Sequence, residues 1–167
     1  MLEKTLQPLP LTAERFAPFG DVIETSALSS SGMNDARFER FDDLASINVD
    51  TARDGHVAIS IARSKTPTVF PHRFDVVERH PLGSQAFIPL SPFSFTVVVA
   101  PAGESVDIDE LQAFVTNGKQ GINYHRGTWH MPLVSAEEGQ RFLIVDRAPG
   151  DENCEVIMLE QSVMLEA

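Results

Sequence analysis

Val77-Glu78-Arg79-His80-Pro81-Leu82-Gly83-Ser84-Gln85-Ala86-Phe87-Ile88-Pro89-Leu90 reads as two strands joined by a tight turn. Residues two apart in a strand share a face, so Glu78 and His80 point the same way. Pro81, Leu82 and Gly83 reverse the chain, and that reversal brings Gln85 on the returning strand beside the pair. The turn can therefore bring a carboxylate, an imidazole and an amide together.

The chain on either side of this turn has the same character. Short apolar or alternating runs occupy residues 21–24, 37–41, 56–62, 69–77 and 93–100. Further runs follow at 121–124, 130–135, 141–146 and 154–159. Each is bounded by Pro, Gly, Ser, Asn or Asp, the signature of strands and turns, and together they predict an all-β sandwich or barrel. Helix is sparse: Thr12 caps a short one through Arg15 and Phe16 that Pro18 and Gly20 end. A second is expected over 105–113, where Asp107, Asp109 and Glu110 suit the positive end of a helix dipole, although the stretch also reads as an acidic surface loop. Residues 26–32, the Ser-rich stretch, read as an exposed loop.

Length and composition narrow the function. At 167 residues and 43% hydrophobic, the chain fits one domain spanning 1–167. Its formal charge of −11 repels phosphate backbones, so nucleic acid is not an expected partner. An anionic substrate would have to be drawn in by local arginines. The single cysteine, Cys154, cannot form an internal disulfide, and the chain shows neither a secretory start nor a membrane-length apolar run. The expected location is the cytoplasm.

A second polar block, Asn123-Tyr124-His125-Arg126-Gly127-Thr128-Trp129-His130, places Gly127 between two histidines, so that a tight turn can bring them to one site. With the first block it offers an oxygen from Glu78, nitrogens from His80 and His130 and an amide from Gln85. Such a mixed set suits Zn, Ni, Mn or Fe(II) without selecting among them. Tyr124 and Trp129 read as packing at a barrel mouth with a ligand contact as an addition, and Arg79 and Arg126 as candidate binders of a substrate carboxylate. His56 and His72 have no such company and read as structural.

These residues resemble two known patterns. Glu78-Arg79-His80 followed by Gln85 falls at the spacing of the first cupin metal motif, and Gly127-Thr128-Trp129-His130 at that of the second. Glu78 stands where His is usual and Gln85 where Glu is usual, and a neutral amide is the weaker ligand. More narrowly, the chain is similar from about Leu11 to Leu159 to the bacterial ureidoglycolate lyases, also called ureidoglycolate hydrolases. The similarity rests on residues 78–89, Thr116-Asn117-Gly118, Asn123-Tyr124-His125-Arg126, Trp129-His130 and Pro132-Leu133. Phe19-Gly20-Asp21-Val22-Ile23-Glu24, Asp146-Arg147 and Asn153-Cys154 extend it.

The resemblance implies a homodimeric cupin β-barrel that cleaves (S)-ureidoglycolate to glyoxylate and urea during allantoin breakdown. A divalent metal (Ni, Zn or Mn) on Glu78, His80, Gln85 and His130 would then accompany proton transfer by His80, His125, His130 or Glu78. Arg79, Arg126, Tyr124 and Trp129 would meet the substrate. The residues also admit a metal-dependent oxygenase or isomerase, a small-molecule-binding cupin without turnover, and an ammonia-releasing amidohydrolase.

Overall fold

A computed structural model describes residues 3–25, 30–150 and 152–167. In chain order the elements are β1 (Lys4–Leu6), β2 (Leu9–Pro10), the one-turn helix α1 (Ala13–Phe16), β3 (Gly20–Ile23), β4 (Ser31–Met33), β5 (Phe38–Arg40), β6 (His56–Arg63) and β7 (His72–Arg79). After them come β8 (Gln85–Pro89), β9 (Thr96–Ala100), β10 (Gln112–Val115), β11 (Gly121–Tyr124), β12 (Trp129–His130), β13 (Arg141–Ala148) and β14 (Glu155–Leu165). A seven-stranded sheet runs β1-β14-β7-β12-β9-β10-β2, and a five-stranded sheet runs β3-β11-β8-β13-β6. The mostly-β architecture expected from the strand runs is what forms, and it fits the cupin-type barrel that the resemblance implies.

Strand alternation explains where the core sits. Val97 and Val99 on β9 pack with Phe87, Ile122, Tyr124 and Phe142 of the other sheet, so this cluster fills the space between the sheets. Val98 and Ala100, one step out of phase, pack with Val77, Trp129 and Leu165 on the opposite side of the seven-stranded sheet. Burial on both faces accounts for the unbroken Thr96-Val97-Val98-Val99-Ala100 run. Helix α1 starts where Thr12 Oγ1 accepts from the Arg15 amide, and Phe16 then enters the inner core.

Two sequence expectations give way. The acidic stretch 105–113 forms only a 3₁₀ turn, Ile108–Glu110, capped by Asp107, and Gln112 onward becomes β10. Pairing of β10 with β9 and β2 outweighs the local charge pattern. In the Ser-rich stretch, residues 26–29 lie outside the described residues, while Ser31–Met33 pairs with Phe38–Arg40 as a two-stranded ribbon. No helix among the described residues is long and apolar enough to cross a membrane.

Candidate active site

The strand carrying Glu78 and the short strand carrying His130 lie side by side, with these two residues directly opposed. Opposed residues of an antiparallel pair share a face. That face is the inner one, because His130 stacks on Tyr124 of the inter-sheet core. His80 follows β7 by one residue and its ring lies 5.1 Å from that of His130, centroid to centroid. Glu78, His80 and His130 each present a ligand atom within 4.8 Å of the others, the one such His, Cys, Asp or Glu trio among the described residues.

The ring tautomers follow from backbone carbonyls. His80 Nδ1 lies 2.6 Å from Asn153 O, and His130 Nδ1 lies 3.0 Å from Thr128 O. A carbonyl only accepts, so both rings carry the proton on Nδ1 when neutral and leave a bare lone pair on Nε2. Both Nε2 atoms are buried without a hydrogen-bond partner, as is Gln85 Oε1. His130 Nε2 faces Glu78 Oε1 at 3.4 Å. Two imidazole lone pairs, an amide oxygen and a carboxylate are all electron donors, and buried donors left unmatched are costly. A cation would match these donors, either a proton shared with Glu78 or a divalent ion on Glu78, His80 and His130. The mixed nitrogen and oxygen set fits such an ion.

The electrostatics agree with this arrangement. The His130 imidazole beside Glu78 holds its carboxyl below the usual range, against the effect of burial. Burial, reinforced by His130, pushes His80 below an ordinary histidine although Asn153, Glu78 and Asp146 pull the other way. Both shifts keep the donors unprotonated. Burial also raises the Tyr124 phenol, with Glu78 adding to the effect, and it raises the Cys154 thiol, whose Sγ lies 3.9 Å from Glu78 Oε2.

Other residues named from sequence lie elsewhere. His125 follows Tyr124 on the chain and faces outward with Asn123; its Nε2 lies 3.1 Å from Asp21 Oδ1, and Asn123 Nδ2 donates to Asp21 Oδ2 at 3.0 Å. Arg79 and Trp129 share the face opposite to Glu78 and His130. The Arg79 guanidinium covers the Trp129 ring at 4.8 Å, donates to Glu155 Oε2 at 2.6 Å and reaches the Gly103 carbonyl, which also accepts from Trp129 Nε1. Arg126 is partly exposed beside the turn at Pro81: its Nε donates to Pro81 O at 2.5 Å and its Nη2 reaches Asp50 Oδ2 at 3.4 Å. Gln85 lies inward, with Nε2 donating to Asp146 Oδ2 at 3.0 Å.

The chain does not fold back here as a hairpin: β7 and β8 belong to different sheets, and the turn between them carries the chain from one to the other. Sequence reasoning assigned no role to the residues that hold this corner. Asn153 takes His80 Nδ1 on its carbonyl and the Leu82 amide on its side chain. Gly127 N donates to His80 O, which docks the second block on the first. Buried Arg147 donates to the carbonyls of Asp50, Ala52 and Pro149, and the loop it secures donates from Asp50 N to Leu82 O. Roles played by main-chain carbonyls leave no side-chain signal.

The family model described as ureidoglycolate lyase matches residues 3–166. The chain belongs to the ureidoglycolate lyase family. It is 47% identical over 152 residues to the ureidoglycolate lyase of Pseudomonas fluorescens (strain Pf0-1), covering 91% of this chain and 90% of that one. The ureidoglycolate lyase of Pseudomonas aeruginosa (strain LESB58) is 47% identical over 91% of this chain and 89% of its own. That of Pseudomonas syringae pv. tomato (strain ATCC BAA-871 / DC3000) is 45% identical over 97% and 94%. These relatives thus cover 91% to 97% of this chain, and both polar blocks lie within the residues that the family model matches.

Proposed function

We propose that the chain is a ureidoglycolate lyase, acting as one catalytic unit over its whole length and releasing glyoxylate and urea from (S)-ureidoglycolate. The observation that carries the reading is membership of the lyase family across residues 3–166. The convergence of Glu78, His80 and His130 supplies suitable chemistry for it, and Gln85 adds a buried amide oxygen without a partner.

Ureidoglycolate is a carbinolamide. Cleavage removes the proton from its hydroxyl as the carbonyl of glyoxylate forms, breaks the carbon–nitrogen bond, and returns a proton to the departing urea nitrogen. Glu78, ionised and beside His130, is the base we assign to the hydroxyl, and the Glu78–His130 pair can hold that proton until the nitrogen leaves. A divalent ion held by Glu78, His80, Gln85 and His130 would supply Lewis-acid polarisation of the hydroxyl oxygen. Arg126, at the turn beside Pro81, is the group we assign to the substrate carboxylate; Arg79 and Trp129 brace β7 and β12 from behind.

A second copy of the chain is the partner we propose. β6 ends the five-stranded sheet, and Val57, Ile59 and Ile61 on one of its faces are 53%, 72% and 61% exposed. An exposed apolar face of this kind calls for a cover, and packing against the same face of a second copy provides one. The cytoplasm suits the free thiol of Cys154.

The test is incubation of the purified protein with racemic ureidoglycolate, with and without a chelator, while urea, ammonia and glyoxylate are followed together. Urea and glyoxylate in equal amounts above the spontaneous rate establish the lyase, and loss of activity on chelation establishes the ion. Ammonia in place of urea would make the protein an amidohydrolase, and binding without turnover would make it a sensor.

A further inference from the structure

Gln85 departs from the carboxylate usual at its motif position, and the barrel interior contains the reason. Val145 on β13 pairs with Ala86 on β8. The next residues along, Asp146 and Gln85, therefore share the inward face. Gln85 Nε2 donates to Asp146 Oδ2 at 3.0 Å. A carboxylate can only accept, so the atom turned toward Asp146 has to be the amide nitrogen. The amide oxygen is thereby turned away from Asp146, and it is buried with no partner. Without Asp146 the amide could turn over and offer two N–H groups to a site already built of electron donors and suited to a cation.

We infer that Asp146 is a positioning residue that holds the Gln85 amide with its oxygen, and never its nitrogen, offered to whatever occupies the Glu78–His80–His130 cluster. The inference rests on reading that cluster as the active centre. It also explains the glutamine. A glutamate in its place would set two carboxylates about 3 Å apart and in repulsion, whereas Gln85 with Asp146 carries the same charge as one glutamate, moved one strand away from the site.

The experiment uses the full-length protein as wild type, Asp146→Asn, Gln85→Glu and the double variant. Co²⁺ is titrated by visible absorption and kcat/KM for ureidoglycolate is measured alongside. An asparagine can turn either its oxygen or its nitrogen to Gln85 and so no longer dictates which way that amide faces; Asp146→Asn should weaken Co²⁺ binding and kcat/KM by about tenfold or more, the scale of an outer-shell hydrogen bond at a metal site. Gln85→Glu should lower kcat/KM when Asp146 is retained and raise it in the Asp146→Asn background. In that background the new amide can donate to one glutamate oxygen while the other takes the place of the original amide oxygen. A wild-type-like Asp146→Asn, or an effect of Gln85→Glu with the same sign in both backgrounds, overturns the inference. Wild type that turns over substrate without taking up Co²⁺ removes the ion from the reading and leaves the sign reversal as the deciding result. Wild type that does neither sinks the reading of the cluster and this inference with it.

Discussion

Tyr124 lies flat on His130, with ring centroids 4.1 Å apart and planes inclined by 10°. The phenol ring is itself fixed by Phe16 and Phe87, so the imidazole rests on a rigid aromatic floor. Tyr124→Phe keeps that floor and should leave turnover within a few-fold of wild type. Tyr124→Leu removes it and should lower kcat/KM clearly more than the phenylalanine variant does. Steady-state kinetics on the two proteins side by side checks this, and equal loss in both would shift the weight from the stack to the hydroxyl.

His130 is the residue on which the site depends most. His130→Ala should reduce kcat/KM by about 10²- to 10⁴-fold, the range of a positioned acid–base group, while the circular dichroism of the barrel persists. Near-normal turnover in a folded variant would remove His130 from the chemistry.

The depressed affinity of His80 for protons gives a pH prediction with a definite sign. Its folded value lies below the ordinary 6.5, chiefly through burial. As pH falls from neutrality the unfolded chain takes up the proton first, so this group lowers stability progressively below about pH 6.5 and has no effect well above it. Imidazole resonances followed by NMR should place the His80 midpoint below 6.5, and the melting temperature should drop on the acid side. A midpoint at or above 6.5 contradicts the buried, neutral ring.

Arg147 is buried with its guanidinium donating to three main-chain carbonyls, those of Asp50, Ala52 and Pro149. Arg147→Met strands those acceptors and should cost on the order of 3 kcal/mol. For a chain of this size that corresponds to a fall in melting temperature of roughly 6 to 12 °C, measurable by calorimetry. No change would mean that the loop finds other donors.

If the apolar face of β6 meets its own copy, Ile59→Lys combined with Ile61→Lys should halve the mass seen by light scattering without unfolding the barrel. An unchanged mass would place the interface elsewhere.

Much of this was legible in the sequence, and the boundary follows the range of the interactions. The strand at 121–124 and the Thr12-capped turn rest on local patterns, and both appear as read. Glu78 and His80 are two residues apart, and their common face needs only the pleat. The stretch 130–135 read as a strand, yet only Trp129–His130 pairs, beyond which Pro132 cannot donate to a ladder. His125 looked like a partner of His130 because Gly127 turns the chain between them; strand alternation sends Tyr124 inward and His125 out to Asp21. Arg79 and Trp129 were placed beside the substrate by their neighbours in sequence, and the same alternation carries them behind the sheet. Asp146 meets Gln85 only through the register of β13 on β8, which a single sequence does not contain.

The ties that shape the site span long stretches of chain: His80 to Asn153 across 73 residues, and Arg79 to Glu155 across 76. A chain still emerging from the ribosome holds Glu78 and His80 long before it holds the carbonyl that sets the His80 tautomer. Affinity for an ion or substrate therefore arrives late and all at once, with the finished barrel. Once present, an occupant grips the whole molecule: at one hundred times its dissociation constant it adds about 2.7 kcal/mol to folding stability, so a cell short of ligand would hold a softer protein and lose it sooner to proteolysis.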